Sequence, residues 1–179
     1  MGLSQIQGVD RVIREQALAH LKTLDARPGE TVEFSWFVFR LTQTGDELDI
    51  EALDFERIAS FTKDFQLVDE IHSAQMQVLR EEQAAPAFCN LRQVAACSKS
   101  YAPGSPQAFI SRVAGAQGDQ SGWYVGVVDD PLDVNDPNNV GIKSLYEISI
   151  KDRRMLPFWL LPPGYRVVFE GRQPEVFRH

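Results

Sequence analysis

The sequence predicts a single α+β domain with a mixed or mainly antiparallel sheet, two longer helices in its N-terminal half and a short helix late in the chain. Two observations predict this class. Segments with strand character cluster in the second half, and neither a regular alternation of strand and helix nor an internal repeat is present. A length of 179 residues with 44% hydrophobic residues is sufficient to bury one core.

The first predicted element is a helix over residues 9–25, because apolar residues recur there at three- or four-residue spacing. The residues on this face are Val9, Ile13, Ala17, Leu21 and Leu24. Pro28 and Gly29 end the helix. Residues 31–41 then predict one central strand, since the run 36–39 places apolar side chains on both faces of a sheet.

A turn at residues 44–46 leads to a strand in which Leu48 and Ile50 alternate with acidic residues. A period of two places those carboxylates together on the solvent face. Residues 41–56 contain six acids and no base, and therefore predict a second acidic surface.

A second helix is predicted from near Asp64, whose carboxylate can cap the first N–H groups, to about Gln83. Its expected buried stripe is Leu67, Ile71, Ala74 and Val78. The later predicted elements are strands at 92–98, 107–113 and 121–128, a helix at 144–150 and a strand at 165–169. The join at 84–87 divides the predicted domain, residues 1–179, into a helix, hairpin and helix layer (1–86) and a second half (87–179).

Charge is distributed unevenly along the chain, whose net charge is −7. Residues 143–179 carry seven bases and four acids, so the rest of the chain is strongly acidic. No Lys or Arg occurs between Arg112 and Lys143, where five aspartates lie: Asp119, Asp129, Asp130, Asp133 and Asp136. An acidic body repels nucleic-acid phosphates and anionic membranes and attracts basic protein surfaces, which predicts a protein partner and neither nucleic acid nor membrane.

The cysteine content indicates a reducing compartment. Cys89 and Cys97 form neither a Cys-x-x-Cys pair nor a disulfide framework, and are interpreted as buried free thiols. Residues 1–7 lack the basic and apolar regions of a signal peptide. The longest apolar run, 155–161, is too short to span a bilayer. A cytoplasmic location is therefore expected.

No set of residues for catalysis or metal binding is apparent. A Gly-x-Ser-x-Gly elbow is missing from the sequence, and His72 is interpreted as an ordinary helix residue, with a role as base for Cys97 as the alternative. Pro131 and Pro137 occupy positions that a calcium-binding loop needs for ligands or glycine. The sequence therefore predicts a protein that is not an enzyme and that has no metal or cofactor.

A pattern in the second half carries a family resemblance. It consists of a strand ending in Cys97-Ser98-Lys99, a Ser-Gly-Trp strand from Ser121, an acidic loop, Asn-Asn-Val-Gly-Ile at 138–142, Leu145-Tyr146 and Leu156-Pro157. In these features the chain resembles the immunity protein 33 type of polymorphic-toxin immunity proteins, also catalogued as domain of unknown function 2185. The resemblance covers about residues 92–170. The first ninety residues lie outside it, and Pro103–Pro106 enlarges one turn.

The resemblance implies a binding role without catalysis. We expect an antitoxin that blocks the active site of a cognate toxin, one with a basic cleft, through the acidic loop at residues 129–136. The predicted contacts are Asp129, Asp130, Asp133, Asp136, Trp123 and Tyr124. Trp123 is either a core residue or an interface anchor, and if it is buried Tyr124 takes the exposed role.

Two other functions stay open at this point. One is a regulatory or small-ligand-binding domain with a pocket around Trp123, and the other is a small cytosolic hydrolase that uses Cys97 or a pair of carboxylates. The sequence leaves the identity of the toxin and the oligomeric state undefined.

Overall fold

The computed structural model describes residues 7–171 and 173–179 and confirms the α+β class. The chain divides into two compact units, Met1–Ala74 and Gln75–His179. The predicted bounds of the domain and of its two halves stay predictions. Of the seven residues on which the signal-peptide expectation rests, residues 1–6 lie outside the described part.

The first unit contains a helix and a four-stranded antiparallel sheet in the order β1-β2-β3-β4. Its elements are α1 (Gln7–Thr23), β1 (Thr31–Phe34), β2 (Phe37–Thr44), β3 (Glu47–Leu53) and β4 (Phe61–Thr62). The helix α2 (Gln66–Glu81) follows and includes the boundary between the units.

The prediction of one strand over residues 31–41 is wrong. Ser35 adopts a left-handed backbone conformation, with φ of 57°, and the segment reverses there into the hairpin β1–β2. The run from Trp36 to Phe39 is nevertheless fully buried, as expected for apolar side chains on both faces of a strand. Residues 31–41 contain no Gly, Pro, Asn or Asp, and Ser35 is the one residue of a turn-favouring type, so the local signal for the reversal was weak.

The predicted alternation in β3 is confirmed at Ile50, which is buried, whereas Leu48 is exposed near the hairpin turn. The carboxylates on the opposite face are largely paired within this unit. Asp49 forms ion pairs with Arg14 and Lys63. Glu51 pairs with Arg40, which lies directly opposite on β2. The second acidic surface is therefore partly neutralised by its own neighbours.

Both long helices form where predicted, with two corrections to their buried faces. On α1, Leu24 lies beyond the last helical residue and is 51% exposed, unlike Leu21. On α2, Ile71 is buried as expected, but burial falls one position later than expected at Val68, Gln75 and Leu79, and Asp69 is buried as well. Asp64 accepts a hydrogen bond from the Gln66 N–H at 3.0 Å, consistent with the predicted cap.

The second unit is built on a six-stranded mixed sheet in the order β10-β9-β6-β7-β5-β8, with β5 and β7 parallel and the other pairs antiparallel. The strands are β5 (Val94–Ser98), β6 (Ala108–Arg112), β7 (Gln120–Val127), β8 (Val140–Ser144), β9 (Tyr165–Phe169) and β10 (Glu175–Arg178). Helix α3 (Leu145–Lys151) and two 3₁₀ helices (Pro137–Asn139 and Arg153–Phe158) complete the unit. The edge strands β8 and β10 were not predicted; the other four strands and α3 were.

The core of the second unit is organised around Trp159. Its indole N–H donates to the Ser149 hydroxyl at 3.0 Å, and its backbone oxygen accepts from the Trp123 indole and the Cys89 thiol at 3.2 Å each. The two indole rings meet edge to face, with centroids 5.3 Å apart. Buried polar groups are thus paired inside an apolar core, as stability requires.

Gly122 lies in a β-bulge, where the register between β5 and β7 shifts between Val94 and Ala96. Its φ is +78°, and a Cβ at this position would lie 2.7 Å from the Val113 carbonyl oxygen. We expect Gly122→Ala to lower the free energy of unfolding by more than the cost of a left-handed alanine, about 1–2 kcal/mol, because its Cβ also meets a backbone oxygen; chemical denaturation measures this loss. Gly118 also has a positive φ, but the space around it is open, so Gly118→Ala serves as the control. The difference between the two losses isolates the steric contribution. Equal losses in the two variants would contradict a role for the close approach.

Candidate partner-binding site

The acidic loop, residues 129–136, connects β7 to the short 3₁₀ helix that precedes β8. Asp130, Asp133 and Asp136 follow one another at three-residue spacing, and each carboxylate accepts the N–H group two residues further on. The three oxygen-to-nitrogen distances are all 2.9 Å. These are Asx turns, in which a side chain replaces the carbonyl of a backbone turn. The loop therefore holds its shape with its own aspartates and needs no cation to do so.

Among the described residues, no cation neutralises the charge of the acidic loop. Within the part of the chain that the structure describes, no ion pair involves Asp129, Asp130, Asp133 or Asp136. Asp129 and Asp133 are exposed, and Asp136 is half-buried. Lys99 approaches through its backbone, which donates to the Asn139 oxygen at 2.9 Å. The loop thus presents free carboxylates, in contrast to the paired acids of β3.

Asp130 differs from its neighbours because it anchors the loop to the sheet. The Ser100 hydroxyl donates to its carboxylate at 2.7 Å. Burial raises the pKa of Asp130, but hydrogen bonds from the Ser98 hydroxyl, the Leu132 N–H and the Ser100 hydroxyl outweigh it and hold the pKa below its ordinary value. Asp130 is therefore ionised at neutral pH and serves mainly to position the loop.

The two aromatic residues predicted as contacts lie on opposite faces of β7. Trp123 is 2% exposed, so it is a core residue and not an interface anchor. Its side chain contributes almost nothing to the accessible surface. Tyr124 is half-buried on the other face, with its ring beside Phe109 at a centroid separation of 5.8 Å. Arg166 stacks on the far side of this pair, 3.9 Å from the Phe109 centroid. Tyr124 thus belongs to the outer face of the sheet.

An apolar groove of about 550 Å³ lies on this outer face. Trp123 is among its lining residues, so the sequence-based alternative of a pocket around Trp123 located it in part, without its contributions from β8 and the acidic loop. Strands β5 and β7 supply the floor, the segment 113–116 forms one wall and Val134 of the acidic loop another. Ile142, on the edge strand β8, is part of the lining. Among the described residues, none that lines the groove is charged. The sequence signals for it were Trp123 and the presence of Val134 and Ile142, apolar residues within an otherwise polar, turn-rich stretch.

The residues considered for catalysis are poorly suited to it. Cys97 is 1% exposed, and burial raises the pKa of its thiol to about 11, so the reactive thiolate is scarce at neutral pH. Burial lowers the pKa of His72, which belongs to the first unit and lies near the Phe37 ring. Among the described residues, no three His, Cys, Asp or Glu side chains are grouped to hold a metal ion. None of the described helices is long and apolar enough to cross a membrane.

The mixed sheet of the second unit carries an apolar groove, next to an acidic loop that forms no ion pair among the described residues. Exposed apolar patches and concentrated charge are both common on the surfaces of binding proteins. The family described as the Imm33-like domain matches residues 74–179, more than half of the chain, and the chain belongs to this family of polymorphic-toxin immunity proteins. Neither the search of curated proteins nor the search of solved structures gives a match.

The family match begins one residue before the second structural unit, Gln75–His179, and extends to its end. It is therefore longer at both ends than the range of about 92–170 over which the resemblance was recognised. The added part includes the second half of α2 and the edge strand β10. The sheet, the acidic loop and the groove all lie within the matched region.

Proposed function

We propose that this chain is a cytoplasmic immunity protein that binds the toxin domain of its cognate polymorphic toxin and blocks the active site through the acidic loop. Family membership supports the general role. The observation that supports the mechanism is the unpaired charge of the acidic loop, held in shape by three successive Asx turns. The two buried, free cysteines agree with a reducing compartment.

In this proposal Asp129, Asp133 and Asp136 contact a basic cleft of the toxin, Asp130 positions the loop, and Tyr124 contributes to the neighbouring surface. Fixed carboxylates imitate the negative charges of the toxin's own substrate. They also steer the encounter, because complementary fields raise association rates by one to three orders of magnitude at low salt. A loop that is already ordered loses little conformational entropy on binding.

The general role is tested by co-expression with the C-terminal domain of the toxin encoded immediately upstream. We expect this chain to restore growth of cells that produce the toxin domain and to co-purify with it. Failure of both would contradict the immunity function itself.

The mechanism is tested by the triple substitution Asp129→Asn, Asp133→Asn and Asp136→Asn. Asparagine keeps the side-chain oxygen that accepts the turn hydrogen bonds, so the variant removes charge while preserving loop shape. We expect the association rate with the toxin domain to fall by about tenfold or more at low salt, and its dependence on salt to weaken. Stopped-flow fluorescence at several ionic strengths measures both quantities.

A matched control removes three exposed carboxylates elsewhere in the second unit by Glu81→Gln, Glu170→Gln and Glu175→Gln. The two variants have the same net charge, so only the position of the charge differs. Equal association rates for the loop variant and this control would exclude the acidic loop as the steering element.

A further inference from the structure

Several large apolar side chains that line the groove are exposed to solvent. Among the described residues, three of the large apolar side chains that are exposed line it: Val113 is 61% exposed, Val134 47% and Ile142 74%. Scattered exposed apolar residues are normal, whereas several around one concavity mark an interaction site. Ile142 lies on an edge strand, where polar or charged residues usually discourage contact with other chains. This edge carries an apolar side chain instead.

The charges around the groove indicate which charge a ligand of the groove should carry. Its lining is uncharged, with Ser111, Gln120 and Tyr124 as the polar members. Val134 belongs to the acidic loop, where it directly follows Asp133 and precedes Asp136 by two residues. We therefore expect a ligand in the groove to lie near these carboxylates. Their negative charge disfavours an anionic ligand and favours a cationic one.

We propose that the groove binds an extended segment of the cognate toxin in which an apolar side chain is flanked by lysine or arginine. This inference rests on the proposed immunity function and identifies the part of the toxin that is recognised. The apolar side chain enters between Val113 and Val134 and covers Ile142, while the flanking cations pair with Asp133 and Asp136. Burial of the apolar side chain slows dissociation, and the charges speed association.

The two contributions are separable by kinetics. We expect Ile142→Ser to raise the Kd for the upstream-encoded toxin domain more than tenfold, through faster dissociation, with the association rate and its salt dependence unchanged. The matched control is Phe177→Ser, on the opposite edge strand β10, where the side chain is 42% exposed. Its Kd should stay within about twofold of the parent chain, as surface changes away from an interface have small effects. Equal affinities for the Ile142→Ser variant and the parent would overturn the inference while leaving the immunity function intact.

A probe that does not depend on the toxin is the peptide acetyl-Lys-Leu-Lys-Leu-Lys-amide, compared with its counterpart containing Glu at each Lys position. We expect the basic peptide to shift the backbone NMR signals of Ala96, Gly122 and Ile142, the acidic peptide to leave them unchanged, and Ile142→Ser to abolish the response. Shifts outside the groove, or equal responses to both peptides or to a neutral apolar compound, would overturn the inference. If the parent chain does not bind the toxin domain, the proposed immunity function is contradicted. In that case the peptide experiment alone decides whether the groove prefers a basic segment with apolar side chains.

Discussion

Replacing Arg112 with methionine is expected to lower the free energy of unfolding of the second unit by about 3 kcal/mol or more. The guanidinium of Arg112 is buried and donates to the backbone oxygens of Ala87 at 2.6 Å, Leu161 at 2.8 Å and Ser121 at 3.2 Å. Methionine fills part of the space but donates no hydrogen bond, so several buried carbonyl oxygens lose their donor. Each unsatisfied buried acceptor costs about 1–3 kcal/mol.

Equilibrium unfolding in guanidinium chloride, followed by tryptophan fluorescence, measures this loss. Arg112→Lys retains the charge but not the planar set of donors, and we expect a smaller loss. Arg80→Met, at an exposed position on α2, should change the free energy of unfolding by less than about 0.5 kcal/mol. A loss below about 1 kcal/mol for Arg112→Met would mean that the three carbonyl oxygens do not depend on this side chain.

Asp152→Asn is expected to cost about 3 kcal/mol, because it leaves buried donors without their charged acceptor. The Asp152 carboxylate is buried and accepts from the Tyr101 hydroxyl at 3.1 Å, the Gly104 N–H at 2.9 Å and the Arg154 guanidinium at 2.7 Å. These contacts tie the turn after β5 to the start of the second 3₁₀ helix. Asn retains one oxygen acceptor but directs an NH₂ group at other donors.

The pH dependence of this variant follows from the pKa of Asp152. Burial raises that pKa, but hydrogen bonds and charge from Arg154, with the Gly104 N–H and Tyr101 hydroxyl, outweigh it and hold the pKa below its ordinary value. The unfolded chain therefore binds a proton at this site at higher pH than the folded chain does. The stabilisation is fully present above the unfolded pKa of about 4 and is lost as the pH falls through the folded pKa.

Denaturation of the parent chain and of Asp152→Asn between about pH 2 and 7 measures this effect. We expect the difference in free energy of unfolding to be constant above about pH 5 and to shrink below about pH 4. Asp119→Asn, at an exposed position, removes one carboxylate from the same unit and serves as the matched control. A difference between Asp152→Asn and the parent that does not change with pH would contradict a depressed pKa for Asp152.

Arg112 is the last residue of β6, and its neighbours in sequence, Ser111 and Val113, line the groove. The hydrogen bonds of Arg112 therefore hold one side of the groove in place. In the proposed function, this connects the stability of the core to the shape of the groove.

Much of the second unit was predictable because its signals are local. Strands β5, β6, β7 and β9 follow from period-two apolar patterns, and the family resemblance depends on short motifs such as Cys97-Ser98-Lys99. The acidic loop was recognisable because its Asp, Asn and Pro residues favour turns through contacts with their own backbone. Its freedom from ion pairs agrees with the cation-free stretch between Arg112 and Lys143.

Other features depend on residues far apart in sequence. The edge strands β8 and β10 are short, and they form because β5 and β9 offer backbone partners. The predictions of one strand over residues 31–41 and of the buried stripe of α2 failed for a similar reason. Periodicity locates apolar residues, but it does not decide which of them the tertiary structure buries.

By itself the sequence determined the α+β class, most strands of the second unit and an acidic loop shaped by its own aspartates, because each of these depends on interactions within a few residues. Only the tertiary structure decided that Trp123 is buried, that Arg112 and Asp152 are buried polar centres and that Val134 and Ile142 border one groove. Burial and concavity arise when distant segments pack together, and no local pattern encodes that packing.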